Sequence, residues 1–119
     1  MRFACLVYFD PKSTFDGRPE TNAVLEAAEA DRQGLLRNGI VAEALTLPAE
    51  AVTIRIRDGR LSATDGPFME TKEVLGGLVL IEAANRDEAV RQAATNPMVR
   101  LGAIEIRPLV DFSQPRPVL

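Results

Sequence analysis

Residues 2–9 are apolar at nearly every position, and Asp10-Pro11 closes the run because proline has no N–H to give to a ladder. The pattern predicts a strand with two apolar faces. Phe3, Cys5, Val7 and Phe9 point to one side, and Ala4, Leu6 and Tyr8 to the other. After a loop containing Asp16-Gly17-Arg18-Pro19, a helix is expected from Thr21 as N-cap to Asn38-Gly39, where glycine accepts the left-handed cap. Its apolar stripe is Val24, Leu25, Ala28, Leu35 and Leu36. Residues 43–47 read as a short strand ended by Pro48. Residues 52–57 and 60–64 flank Asp58-Gly59, the dipeptide that a type I′ hairpin turn prefers. A strongly apolar strand follows at 77–84. Asn85 then caps a second helix that stops at Asn96-Pro97, and residues 103–110 form the last strand.

With the hairpin set aside, the order is β-α-β followed by β-α-β. The fold expected is α+β: a ferredoxin-like split βαβ arrangement with an inserted β-hairpin. One domain covers residues 1–110, and 111–119 form a C-terminal tail with Pro115 and Pro117. Both helices of such a fold lie on one side of the sheet, so a monomer needs its other side polar. Here it is not polar. Leu78 and Leu80 of the second central strand oppose Val79 and Ile81, so both central strands are apolar on both faces. A homodimer that covers the second face is therefore expected. The hairpin is short and Arg-rich, which suits it less well as a cover.

Composition narrows the function classes. Of 119 residues, 46% are hydrophobic and 26% charged, an ordinary globular balance. The net charge is −3 and the basic residues are scattered, so no phosphate-tracking stripe exists and nucleic acid is not an expected partner. No apolar run approaches the roughly 20 residues that span a bilayer, so no membrane is expected either. The first residues lack a signal peptide's cleavage site, which predicts a cytoplasmic protein. One cysteine and no histidine leave no metal cluster and no Cys–His pair. No metal or cofactor is expected.

Four side chains are candidates for chemistry. Arg32 falls inside the apolar stripe of the first helix, where a guanidinium needs an acid, a carbonyl or a bound anion. It either orients a small anionic ligand or extends past its neighbours to a surface acid. Asp65 sits in Thr64-Asp65-Gly66-Pro67-Phe68, where a free residue meets a fixed one after a strand and Phe68 can anchor the loop in the core. A held carboxylate suits general acid/base catalysis, and an Asx turn is the plainer use of it. Glu105, beside Arg107 on the last strand, and Tyr8 across the sheet face the second side, where they could line a polar cavity between two subunits.

Residues Ala63-Thr64-Asp65-Gly66-Pro67-Phe68-Met69-Glu70-Thr71-Lys72-Glu73-Val74-Leu75-Gly76-Gly77 strongly resemble the signature of the YCII-related family, in its DGPF-domain branch. The resemblance extends to the opening strand, the hairpin and the closing run from Gly102 to Pro108. It implies a ferredoxin-like fold in a dimeric α/β barrel. It also implies small-ligand-binding or enzymatic domains, some of them beside extracytoplasmic-function sigma factors. A histidine–aspartate pair is suggested as catalytic in YCII relatives, but this chain has no histidine, and Leu101 stands before Gly102 where branch members often carry one. An imidazole-dependent role is ruled out. By the resemblance, Asp65 matches the family's aspartate and Glu105 its acidic position on the closing strand.

Two readings of function follow. In the first the protein is a small-molecule-binding domain, or a weakly specialised enzyme, with Asp65 handling a proton and Arg32 orienting an anion. In the second it is a non-catalytic accessory module that binds a protein partner such as a sigma factor.

Overall fold

The computed structural model describes residues 1–119. Strand β1 (Arg2–Phe9) lies at the centre of a four-stranded sheet and is paired on both sides. The other members are β2 (Ala42–Ala44), β5 (Val74–Glu82) and β6 (Gly102–Pro108), in the order β2-β5-β1-β6. All three pairings are antiparallel, with Cys5 opposite Val79 on one side and Ile106 on the other. The sheet of one chain is open, not closed into a barrel. Between β1 and β2 run a short helix α1 (Pro11–Thr14) and the long helix α2 (Pro19–Arg37), and α3 (Arg86–Ala93) joins β5 to β6. Each βαβ unit thus places one of its strands between those of the other.

Helix α2 begins two residues before the expected cap. Proline's preset φ and missing N–H fit the first helical position, so Pro19 starts the helix after Arg18, and Thr21 is buried in its first turn. Asp16 fixes the approach by accepting from the Arg18 backbone N–H at 3.0 Å and from its guanidinium at 2.7 Å. Asn38 and Gly39 close the helix as expected, with Gly39 at φ +75°. Helix α3 is capped as expected by Asn85, whose side chain accepts from the Glu88 N–H at 2.9 Å. Beyond α3, Pro97 opens a 3-10 turn, Pro97–Arg100, in place of a plain stop.

The core lies on one side of the sheet only. Phe3, Cys5, Ile81 and Ala83 pack beneath Ala89 and Ala93 of α3, while Val7, Phe9 and Val74 pack with Met98 of the 3-10 turn. Strand β5 starts three residues earlier than its apolar pattern predicts and carries a bulge where Val7 pairs with Gly77 and Tyr8 with Leu75. Gly76, inside that bulge, leaves the space that the Phe9 ring occupies. On the sheet's outer side the same register aligns Ala4, Leu6 and Tyr8 with Leu80, Leu78 and Leu75. No element of the chain packs across this row, and Leu75 is exposed.

The hairpin of β3 (Val52–Arg57) and β4 (Arg60–Asp65) forms a separate two-stranded sheet. Asp58 at φ 50° and Gly59 at φ 76° make the expected left-handed turn pair. The hairpin projects away from the body instead of covering it. The radius of gyration is 16.7 Å, against about 13.5 Å for a compact chain of this length. Its register sets Ile54 opposite Ala63 and Ile56 opposite Leu61, giving an apolar face with Ile56 73% exposed. Phe68 does not anchor the following loop in the core. It is 69% exposed and stacks beneath the Arg55 guanidinium at 4.6 Å.

Gly102 marks the tightest approach in the sheet. A Cβ there would lie 1.9 Å from the Tyr8 carbonyl oxygen, a backbone atom with no room to give. Gly102→Ala is therefore expected to lower stability by about 2–3 kcal/mol, read as a drop in the urea midpoint at unchanged slope. An unchanged midpoint would show that β6 is not held against β1 in this register.

Candidate functional site

The two helices meet the sheet differently. Alanines of α3 sit directly on Phe3 and Cys5, but α2 leans mainly on the 3-10 turn and on β2 and meets the Val7, Phe9, Val74 and Met98 cluster through Leu25 and Ala28 alone. Of its residues only Thr21 is fully buried, and its stripe of Val24, Leu25, Ala28, Leu35 and Leu36 remains half-buried. Beneath that stripe the sheet offers short side chains or none: Ala42 and Ala44 of β2, Gly77 of β5. Small residues facing a helix kept at this distance leave a cavity of about 230 Å³. Its walls include Val7, Phe9, Leu25, Ala28, Leu35 and Val79. Phe15 closes one end with its ring edge-to-face on Phe9, the centroids 5.6 Å apart. A second cavity, of about 260 Å³, runs on towards α3 past Cys5, Ile81 and Ile104. Asp31, Leu35, Val79 and Asn96 border both.

The charged groups at the first cavity are Glu29, Asp31, Arg32 and Glu43. Arg32 is already matched. Its Nε and Nη2 donate to the Glu29 carboxylate at 2.9 Å each, and its Nη1 reaches the Ala42 carbonyl at 3.4 Å and Glu43 at 3.6 Å. Hydrogen bonds from Arg32 and Gln33 hold the Glu29 carboxyl at about 2. Asp31 differs: no basic side chain lies within salt-bridge distance of it. Partial burial against the apolar walls pushes its carboxyl up from the ordinary value.

The sequence-predicted residues fall in three places. Tyr8 and Glu105 share the outer face of the sheet, Tyr8 opposite Ala103 and Glu105 opposite Leu6, as their parity requires. Arg32 reaches the cavity on the other side of the sheet, where its guanidinium pairs with Glu29 and Glu43. Asp65 ends β4, is exposed, and lines neither cavity. The loop beyond it is held by Gly66, at φ +104°, whose N–H donates to the Ala51 carbonyl at 2.7 Å and whose carbonyl accepts from the Thr53 hydroxyl at 2.9 Å. Free backbone rotation at Gly66 was thus legible in the Asp-Gly-Pro run.

Compared with known proteins, the sequence pattern of the YCII-related domain matches residues 1–113. This chain belongs to the YCII-related family. An uncharacterised protein of Rhizobium meliloti (strain 1021) is 33% identical over 117 residues, covering 94% of each chain. In this YCII-related domain the residue that sequence reasoning missed is Asp31. A signal for it existed: Val24, Ala28, Asp31 and Leu35 follow the i, i+4, i+7, i+11 spacing of one helix face, so an acid stands in an apolar stripe just as Arg32 does.

The raised pKa of Asp31 has a definite sign. Folding favours its protonated form, so its contribution is fully present below the ordinary value of 3.8 and is given up as pH rises through the raised value. Asp31→Asn removes the ionisation and is expected to raise the melting temperature at pH 7 while changing it little at pH 3. Thermal denaturation at the two pH values checks this, and a lower melting temperature at pH 7 would mean that the ionised carboxylate has a partner.

Proposed function

We propose that the protein is a cytoplasmic, homodimeric small-molecule-binding domain of the DGPF branch of its family. In this reading two chains meet over the outer faces of their sheets, with a ferredoxin-like unit from each forming a dimeric α/β barrel. The observation that carries the binding function is the cavity beneath α2, apolar on most of its wall and bordered by a carboxylate without a partner. Apolar clefts with a few placed polar groups are the usual form of a small-ligand site. Asp65 lies outside this cavity in its own chain, so the reading assigns the cavity a binding role and gives Asp65 a part only where the second copy adjoins it.

Surface area supports the dimer. One chain exposes 8968 Å², whereas a compact monomer of this length exposes about 6,300 Å². The projecting hairpin and the exposed tail account for part of the excess, roughly 2,600 Å², and the whole is well above the ~800 Å² that each partner buries in a standard interface. The outer row of Leu6, Leu78 and Leu80 supplies apolar contact, and Tyr8, Glu105 and Arg107 become groups of the shared interior. The protein is expected to sediment as two chains, and Leu80→Arg as one folded chain. A wild-type protein that sediments as a single chain would contradict the dimer.

For the cavity, Ala28→Phe places a ring where the ligand would sit. It should keep the fold, checked by circular dichroism, and lose ligand-dependent thermal stabilisation. Undiminished stabilisation in that variant would move the ligand elsewhere. The apolar hairpin face, with Ile54 66% and Leu61 68% exposed, favours a second reading as an accessory module for a protein partner such as a sigma factor. Under that reading, changing Ile54 and Ile56 to Lys abolishes association with the partner and leaves both the dimer mass and small-ligand binding intact.

A further inference from the structure

The charge and shape of the cavity beneath α2 specify what enters it more narrowly than its apolar walls do. Three carboxylates border it, from Glu29, Asp31 and Glu43, against the single guanidinium of Arg32. That guanidinium is already paired, because Nε and Nη2 donate to Glu29 while Nη1 is directed at Ala42 and Glu43. An anion entering the cavity would have to compete with Glu29 and Glu43 for that guanidinium and would meet the charge of Asp31. A neutral apolar molecule would strip water from that carboxylate and offer nothing in exchange, a net cost for a charged group. A cation reverses both effects, since it supplies the partner that Asp31 lacks.

We propose that this cavity binds a small organic amine, its ammonium against Asp31 and its apolar body between α2 and strands β1, β2 and β5. The assignment rests on the reading of the cavity as the ligand site and names the ligand class that site takes. At about 230 Å³ the space is smaller than the ~300–1,000 Å³ of drug-sized pockets, so the amine is of fragment size.

The test uses the full chain and three probes of one shape: benzylamine, benzyl alcohol and benzoate. Binding is followed by amide chemical-shift changes at Val7, Ala28, Asp31 and Val79. Benzylamine is expected to saturate these shifts, with benzyl alcohol and benzoate each at least about 10-fold weaker, the size of one hydrogen bond to a charged group. Asp31→Asn should weaken benzylamine by about the same factor and leave benzyl alcohol no weaker than before. Benzoate or the alcohol binding as tightly as the amine, or an amine affinity unaltered by Asp31→Asn, would overturn the cation assignment while leaving the cavity as the ligand site. Failure of all three probes to shift these residues would overturn the cavity itself as the site.

Discussion

The antiparallel pairing of β1 on both its edges is the constraint from which the rest follows. Once Cys5 lies between Val79 and Ile106, period-2 alternation assigns every side chain of the sheet to one face or the other. Phe3, Cys5, Val7 and Phe9 go to the helices, and Ala4, Leu6 and Tyr8 go to the far side together with the leucines of β5. Glu105 and Arg107 follow them there. A slip of one residue would exchange the two sets, placing Glu105 under the helices, and Gly102 against the Tyr8 backbone helps to fix the register.

The helical face is filled unevenly for a reason that the side chains make plain. Under α3, alanines on the helix meet Phe3, Cys5 and Ile81 on the strands, so small faces large and the gap closes. Under α2 the edge of the sheet is short. Leu25 and Ala28 pack against the cluster of Val7, Phe9, Val74 and Met98, while Ala42, Ala44 and Gly77 are too small to fill the space beside it, and the cavity is what remains. Asp31 borders that gap on the helix while Arg32, one residue on, turns to the rim and is taken up by Glu29 and Glu43. Two neighbouring ionised residues on one helix thus meet different fates, and only the one without a partner alters the electrostatics of the space.

Much of the fold was legible in the sequence because its signals are local. Asp58-Gly59 specified its turn, Asn85 its cap, Gly39 its helix end, and the unbroken apolar run of residues 2–9 a central strand. The start of α2 was misplaced because Thr21 is a familiar capping residue, whereas Pro19 acts through its backbone. The pose of Phe68 was misjudged because apolar character predicts burial, but the hairpin that carries it stands away from the core. The site was less legible for a different reason. A cavity depends on which side chains are short on two elements distant in sequence, and no local pattern in β2 or β5 announces it. The acid within the helical stripe was the one available clue.

The account turns on the outer face of the sheet being an interior surface of the working molecule. Its most direct test is solvent paramagnetic relaxation of leucine methyls by a soluble, uncharged gadolinium agent in the intact protein. Leu6, Leu78 and Leu80 should be shielded while Leu61, on the projecting hairpin, is broadened. Broadening of all four to the same degree would show that water, not protein, covers the second face.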